Sequence, residues 1–287
     1  MVNDLRVTWL VLRRAVVSAL RDGCFGTAKA AAYSGLLSFI PILSALATLL
    51  VEFRAEQMAR WISQYLFIAI PPGTEDLVAM SFRARGGRPV PLIVGATLLS
   101  LWAASGVMAS LMEGFHAAYR IPHGRSMVRG RLVAIWLVLS AAGPVVIASA
   151  LLVVGVQIER WIMEALGWVT AYDLQSRFTL LAAALRHLTA LLAISAGAAG
   201  LYYYGPNRPQ QWRFVWPGAL VATVLWLAAT LGFAWWVRNI AHYNVMYGSI
   251  GAVIALLVWM YVLSVIALIG CEYNAELERV VRRYRNS

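Results

Sequence analysis

Two pairs of side chains in this sequence have the residue types and spacing of a catalytic or metal-binding pair. Glu113 and His116 are three residues apart, and Glu272 and Glu276 are four apart, so each pair would share one face of a helix. Two carboxylates on one face could perform acid–base chemistry or bind magnesium. A Glu-x-x-His segment is part of a carboxylate-bridged metal site, but that site needs a second such segment, which the chain lacks.

The alternative interpretation of Glu272 and Glu276 is a solvated helix end, in which Glu278 and Arg282 form an i, i+4 ion pair. We favour this alternative. The sequence also contains no phosphate-binding glycine loop, no Gly-x-Ser-x-Gly segment, no zinc-spaced Cys/His cluster and no His-Glu-x-x-His. We therefore expect a protein that is not an enzyme, has no catalytic residues and uses no metal or other cofactor.

The elements that carry these residues are predicted by hydropathy. The chain has 287 residues, of which 61% are hydrophobic and 13% charged, whereas soluble domains contain about 45–50% apolar and about 25% charged residues. The apolar residues form long uncharged blocks that could cross a bilayer as helices. We predict an all-α polytopic membrane protein, a single membrane domain over 1–287. Its six transmembrane helices should lie at approximately 30–51, 90–112, 132–157, 188–204, 214–237 and 249–271.

Three further segments flank these spans. Residues 5–21 predict an N-terminal interfacial helix, because Arg6, Arg13, Arg14 and Arg21 would form a basic face attracted to anionic lipid. A helix packed against the bundle is the alternative. Residues 52–89 predict a short helical extracytoplasmic cap, and residues 272–287 a cytoplasmic tail.

The net charge of +11 could indicate a nucleic-acid partner, but the basic residues lie in loops and tails. That distribution is expected of a membrane protein facing anionic lipid, so we predict no nucleic-acid partner. With six spans, the side that holds both termini carries 15 of the 24 basic residues. The bias predicts a bacterial inner-membrane protein whose N- and C-termini are both cytoplasmic.

The predicted spans contain no Asp, Glu, Lys, Arg or His near their middle, where ion-coupled transporters place such residues. Their polar residues are Ser, Thr, Tyr and Trp, which suit a lipid-like ligand or simple helix packing. Ala30, Ser34 and Ser38 recur every four residues, as do Gly106, Ser110 and Gly114, which predicts closely packed helices. Pro41 and Pro144 predict kinks in the first and third spans.

Several segments together resemble the YihY/BrkB family of bacterial inner-membrane proteins. They are residues 31–41, 101–105 with 117–119, 202–208, 243–249, and 270–276 with the Trp259-x-Tyr261 pair. The chain departs from the family where it has Cys271 instead of Ala, Tyr273 instead of Leu, and residues 114–116 instead of an Ala-Leu-Asn run. The resemblance implies a six-helix inner-membrane protein linked to envelope integrity and to movement of lipids or lipid-linked precursors. Members also carry the label ribonuclease BN, which is widely regarded as a misassignment.

We therefore expect an envelope-maintenance protein that binds or translocates a lipid or lipid-linked molecule. The alternative is a membrane scaffold that recruits protein partners, and a membrane-tethered ribonuclease is disfavoured. The oligomeric state stays open. The positions that the resemblance marks, and that we predict to bind the ligand, are Tyr33, Ser38, Pro41, Trp102, Tyr247, Gly248, Glu272 and Asn274.

Overall fold

The computed structural model describes residues 2–52, 90–122, 124–165, 172–239 and 249–286. These residues form seven helices and no strand, which confirms the all-α class. In chain order the helices are α1 Val2–Arg21, α2 Cys24–Glu52, α3 Val90–Ala118, α4 Met127–Ala165, α5 Tyr172–Tyr204, α6 Trp212–Asn239 and α7 Ser249–Asn286.

Five of the seven helices contain a stretch that is long and apolar enough to cross a membrane. The stretches are Thr97–Ala118, Met127–Val145, Leu180–Tyr204, Trp212–Trp236 and Gly251–Arg283, and they coincide with five of the six predicted spans. The first predicted span lies within α2, which is not among the five, so the sixth span stays a prediction. The predicted cap, except for Glu52, lies outside the described residues, and so do Tyr247 and Gly248.

Helix α7 is central to the described bundle, because it packs against α1, α2, α3 and α6. The remaining neighbours are α1 with α2, α2 with α3, α3 with α4, α4 with α5, and α5 with α6. Several of the largest buried side chains, among them Phe115, Tyr202 and Leu268, belong to one apolar cluster. Many large apolar side chains, such as Leu99, Leu181 and Leu231, are exposed, as expected where lipid replaces water.

Close helix packing occurs where the sequence predicted it. A Cβ added at Gly106 of α3 would lie 3.3 Å from Oγ of Ser34 in α2, so the two small residues face each other. A Cβ at Gly114 would lie 2.3 Å from Cδ2 of Leu268 in α7. These contacts confirm that small residues bring α3 close to its neighbours. Helices α2 and α4 continue through Pro41 and Pro144.

Helix α1 packs against the bundle, as the alternative interpretation of residues 5–21 proposed. Val11 and Ala15 are buried against Tyr273 of α7. Gly23, whose φ is +72°, ends α1 and allows the chain to turn directly into α2. The opposite face of α1 remains exposed, and there Trp9 is 65% exposed. The helix therefore has both a bundle-facing and an outward-facing apolar surface.

Candidate functional site

Among the described residues, the buried carboxylate and amide side chains of Glu272, Asn274 and Glu278 lie at one end of the bundle, which we call the polar end. It is formed by the end of α1, α3 and α5, the start of α2 and α6, residues 270–282 of α7, and the loops at 119–126 and 205–211. Two predicted site residues, Glu272 and Asn274, lie here, and neither is exposed to solvent. Both come from the motif at 270–276 that carried the resemblance.

Asn274 links α7 to the first turns of α6. Its Oδ1 accepts a hydrogen bond from the backbone N–H of Gly218 at 2.7 Å, and its Nδ2 donates to the carbonyl of Val215 at 3.0 Å. The amide thus satisfies a donor and an acceptor on a neighbouring helix inside the protein. This arrangement fixes the position of α6 against α7 and leaves no part of the Asn274 side chain accessible to a ligand.

The two helices can approach this closely because glycine occurs on both. A Cβ at Gly218 would lie 2.1 Å from the carbonyl oxygen of Gly270, and one at Gly270 would lie 2.3 Å from Oη of Tyr202. Tyr202 in α5 is buried and donates to the carbonyl of Ala267 at 2.8 Å. Helices α5, α6 and α7 therefore meet at one tightly packed point.

Glu272 is fully buried, so its expected place at a solvated helix end is wrong. One carboxylate oxygen accepts a hydrogen bond from Sγ of Cys24 at 3.6 Å, and Asp22 lies beside it. The other oxygen is buried without a hydrogen-bond partner in the described part of the chain. Glu272 lies 14 residues before the end of α7 at Asn286, and Asp22 and Cys24, where α1 turns into α2, lie against it.

Cys24 shares the environment of Glu272. Burial raises the pKa of the Cys24 thiol to about 12, and the negative charge of Glu272 adds to this effect. The thiol is therefore protonated and unreactive at neutral pH. Cys24 and Cys271 are both buried and free.

Glu278 is bonded to two arginines. Arg282 donates to it at 2.6 Å, which confirms the predicted i, i+4 pair. Arg208, from the loop between α5 and α6, donates to its other oxygen and lies over the ring of Tyr119, with Cζ 4.3 Å from the centroid. The ion pair therefore joins this loop to α7 and α3.

Arg125 joins the same loop to the chain between α3 and α4. Its guanidinium donates to the carbonyls of Tyr204, Gly205 and Pro206 at 2.9, 2.6 and 3.3 Å. Burial lowers the pKa of Arg125, and the positive charge of Arg129 lowers it further. None of the carboxylates in the described residues forms an ion pair with Arg125. Within the described residues its charge is stabilised mainly by these carbonyl dipoles, with the sulfur of Met112 as a further acceptor at 3.8 Å.

A cavity of about 390 Å³, which we call the loop cleft, opens beside these two arginines. Tyr203 and Tyr204 form an aromatic side, and the Tyr203 ring stacks on Trp212 with centroids 4.3 Å apart. The full lining is Arg125, Tyr203, Tyr204, Pro206, Asn207, Arg208, Pro209 and Gln210. The cleft therefore combines guanidinium, amide and aromatic groups.

The other predicted site residues lie elsewhere. Tyr33 and Trp102 are 61% and 57% exposed on the outer surface, whereas Ser38 is buried and donates to the carbonyl of Gly35 at 2.9 Å. Pro41 is half-buried in α2. The outward-facing aromatic residues and the buried Glu272 and Asn274 thus do not form one site.

Trp102 has a cationic partner that the sequence did not suggest. Arg131 of α4 places its Cζ 4.2 Å from the centroid of the Trp102 ring and donates to the Trp102 carbonyl at 2.9 Å. Its Nε is buried without a hydrogen-bond partner among the described residues. Arg131 precedes the third predicted span in sequence, yet its guanidinium reaches the middle of the second.

The first candidate pair does not assemble into a metal site. Glu113 is exposed, and His116 is half-buried with a buried Nε2 that lacks a partner in the described ranges. Within those ranges no three His, Cys, Asp or Glu side chains are placed to hold a metal ion. The residues that could bind a ligand are instead arginines, amides and aromatic residues.

The chain is similar to known bacterial membrane proteins. The profile described as "Virulence factor BrkB" matches residues 15–287. The ribonuclease-like protein YfkH of Bacillus subtilis is 30% identical over 88% of this chain and 90% of its own length. A UPF0761 membrane protein of Vibrio vulnificus is 28% identical over 86% of this chain and 75% of its own. One of Alkalilimnicola ehrlichii is 26% identical over 90% of this chain, which spans only 56% of that relative. No solved structure matches.

Proposed function

This chain belongs to the virulence factor BrkB family of membrane proteins, and on that premise we propose an inner-membrane protein of envelope maintenance that binds and translocates a lipid or lipid-linked molecule. In this proposal six helices span the membrane, residues 52–89 form an extracytoplasmic cap, and both termini are cytoplasmic. Membrane lipids are its partners, with anionic lipid at the basic residues of α1. The protein is not an enzyme.

The observation that supports lipid binding is the contact between Arg131 and Trp102. Trp102 is exposed on a surface that would face lipid, and Arg131 lies over its ring. A guanidinium in an apolar environment needs an anionic or dipolar partner, and long arginine side chains reach toward lipid headgroups. The Trp102 carbonyl accepts one hydrogen bond from Arg131, and the Nε of Arg131 has no partner in the described residues. A lipid phosphate beside Trp102 would accept from this remaining donor, and the neighbouring aromatic ring would contact the lipid backbone.

Lipid binding can be tested with two arginines of the same helix. Arg131→Gln removes the guanidinium beside Trp102, and Arg129→Gln removes an exposed guanidinium with the same charge. Native mass spectrometry of the purified protein should show that Arg131→Gln retains severalfold less phosphatidylglycerol than Arg129→Gln. Equal retention by the two variants would contradict the proposal.

Translocation needs a separate assay. Purified protein in phosphatidylcholine–phosphatidylglycerol liposomes should accelerate the movement of a headgroup-labelled phospholipid between leaflets, measured by dithionite quenching. The Arg131→Gln variant should be slower than the Arg129→Gln variant. If binding persists and no labelled lipid moves, the protein binds lipid without translocating it.

A scaffold is the second candidate, and the exposed face of α1 favours it. Trp9 and Leu20 are 65% and 63% exposed beside the exposed Arg13 and Arg14. Such a surface could dock a partner protein as well as lipid. Co-purification after mild crosslinking distinguishes a scaffold from a lipid-binding protein. A scaffold should retain a stoichiometric protein partner, and the double variant Trp9→Ser, Leu20→Ser should lose it.

A ribonuclease activity, which the name of the Bacillus relative suggests for that protein, is disfavoured for this chain. It would require the carboxylates of Glu272 and Glu276, and Glu272 is fully buried. Metal-dependent RNA cleavage that disappears in both Glu272→Gln and Glu276→Gln, with folding intact, would favour it instead.

A further inference from the structure

The loop cleft has an excess of positive charge. Arg125 and Arg208 line it, whereas Glu278, the carboxylate that bonds to Arg208, is shared with Arg282. The positive charge of Arg129 further raises the local potential, which contributes to the lowered pKa of Arg125. A cavity with this potential attracts anions.

The cleft also contains polar atoms that lack partners. Both Nε2 and Oε1 of Gln210 are buried and form no hydrogen bond of normal geometry within the described residues, although the Gln210 side chain lies close to the buried Oη of Tyr119. Unsatisfied buried polar atoms are costly, on the order of 1–3 kcal/mol each. An anion in the cleft that accepts from the Gln210 amide would satisfy its Nε2.

The shape of the cleft narrows the chemistry of the ligand. Asn207, Arg208 and Gln210 each bring N–H donors to the lining, and the terminal oxygens of a phosphate ester can accept more hydrogen bonds than the two oxygens of a carboxylate. The volume of about 390 Å³ exceeds what a bare oxyanion fills, and Tyr203 and Tyr204 provide an apolar wall for an attached group. An organic phosphate matches both features.

We propose that the loop cleft binds the phosphate of an organic phosphate ester, with Arg208 and Gln210 as its main ligands and Tyr203 as the wall for the ester group. Arg125 supplies positive charge, because its hydrogen bonds already go to the loop carbonyls. The phosphate belongs either to a lipid headgroup or to a soluble ester. This site is independent of Arg131 and Trp102, so it does not rest on the proposed function.

The test is calorimetric titration of the purified full-length protein in neutral detergent at constant ionic strength. The probes are glycerol 3-phosphate, dihexanoyl phosphatidic acid, and sodium sulfate as a charge control. Both phosphates should bind at least about tenfold more tightly than sulfate if the ester group contributes. Binding of dihexanoyl phosphatidic acid alone also supports the site and identifies a lipid headgroup as its source.

Two neighbouring glutamines provide a matched pair of variants. Gln210→Leu should weaken phosphate-ester binding about tenfold, since a hydrogen bond to a charged group is lost, and Gln211→Leu, at an exposed position, should change it less than about twofold. Glu278→Gln releases Arg208 and should tighten binding although it removes an ion pair. A residue with only a structural role would not give this opposite sign.

Three results would overturn the site: no heat with either phosphate, equal effects of Gln210→Leu and Gln211→Leu, or weaker binding by Glu278→Gln. Thermal unfolding of each variant distinguishes a lost ligand contact from a lost fold, because a folded Gln210→Leu that binds normally contradicts the proposal directly. Lipid retention that depends on Arg131 would be unaffected by any of these results.

Discussion

Asn274 uses one donor and one acceptor of its side chain on the backbone of α6, and an alanine at this position could replace neither. Asn274→Ala leaves the N–H of Gly218 and the carbonyl of Val215 without their buried partner. We expect a loss of about 2–4 kcal/mol in the free energy of unfolding. Thermal unfolding in detergent measures it. Asn207→Ala, at an exposed position, should change stability by less than about 0.5 kcal/mol and serves as the control.

The Cys24 thiol should be nearly inert, because its pKa is raised from 9.0 to about 12 by burial and by Glu272. Alkylation requires the thiolate, whose population falls about tenfold per pKa unit. Iodoacetamide at pH 8, followed by peptide mass spectrometry, should therefore modify Cys24 at least about a hundredfold more slowly than a free thiol. Glu272→Gln should accelerate the reaction. An unchanged alkylation rate in that variant would show that access of iodoacetamide to Cys24, and not the charge of Glu272, limits the reaction.

The same shift sets a pH dependence. Because the folded-state pKa of Cys24 lies above the unfolded value, its contribution to stability is complete below pH 9 and is lost as the pH rises toward about 12. Replacing the thiol should therefore reduce the decrease in the free energy of unfolding between pH 9 and about pH 12. Cys24→Ala is the variant, and equal alkaline slopes for it and the unchanged protein would contradict the shift.

Sequence patterns identified Glu272 and Asn274 as important but not their environment. Their motif is recognisable in one segment, whereas their partners, Cys24 and Gly218, lie far away along the chain. Arg131 precedes the third predicted span, so its sequence position alone predicts a side chain at the membrane edge. The side chain instead reaches Trp102, which a sequence position cannot show because it gives the depth of the Cα only. Gln210 carries no local signal at all, since only the fold of the loop buries it beside Tyr119.

Helices α6 and α7 depend on glycine at their crossing more than on any apolar contact there. Gly218→Ala would place a methyl group 2.1 Å from the carbonyl oxygen of Gly270, and Gly270→Ala would place one 2.3 Å from Oη of Tyr202. Each should destabilise the protein by about 1–3 kcal/mol or more, because backbone atoms cannot move aside. Gly232→Ala in the same helix α6 meets nothing within 4 Å and should be neutral or stabilising by about 0.5–1 kcal/mol. Thermal unfolding of the three variants tests this, and a loss at Gly232 as large as at Gly218 and Gly270 would show that close contact at the crossing is not the cause.

Hydropathy predicted the helices well and their ends poorly. Five predicted spans coincide with apolar stretches of α3 to α7, because a long uncharged block can satisfy its backbone in lipid only as a helix. The helices extend beyond these blocks, and α7 continues to Asn286 where a tail was expected. Buried contacts of residues such as Tyr273 and Ala275 make that extension part of the bundle. The sequence also shows the apolar periodicity of α1. Whether that apolar face contacts lipid or protein could not be predicted, because the contact is made by Tyr273 of α7, which is far away in sequence.

At the scale of the molecule, polar interactions divide into two regions with different consequences. The polar end contains buried and part-buried hydrogen bonds and an ion pair that join α1, α3, α6 and α7 and the loop before α6. The surface around Trp102 has large exposed apolar residues and one arginine, so a bound molecule there could exchange with the bilayer. A protein that handles lipid needs both properties, a stable frame and an accessible lateral surface.

The orientation of the whole molecule is testable along a single helix. Ser126 is exposed just before α4 and Trp161 is exposed near its end, so 35 residues separate them, roughly 53 Å in an α-helix. That exceeds the roughly 40–45 Å of a bilayer with its headgroups, so the two positions should lie on opposite sides. Cys24 and Cys271 are buried, which gives a low background for an impermeant maleimide.

With cytoplasmic termini, Trp161→Cys should be labelled in spheroplasts, and Ser126→Cys only in inverted vesicles. The reverse pattern would place the polar end and its cleft in the periplasm, and labelling of both from one side would show that α4 does not span the membrane.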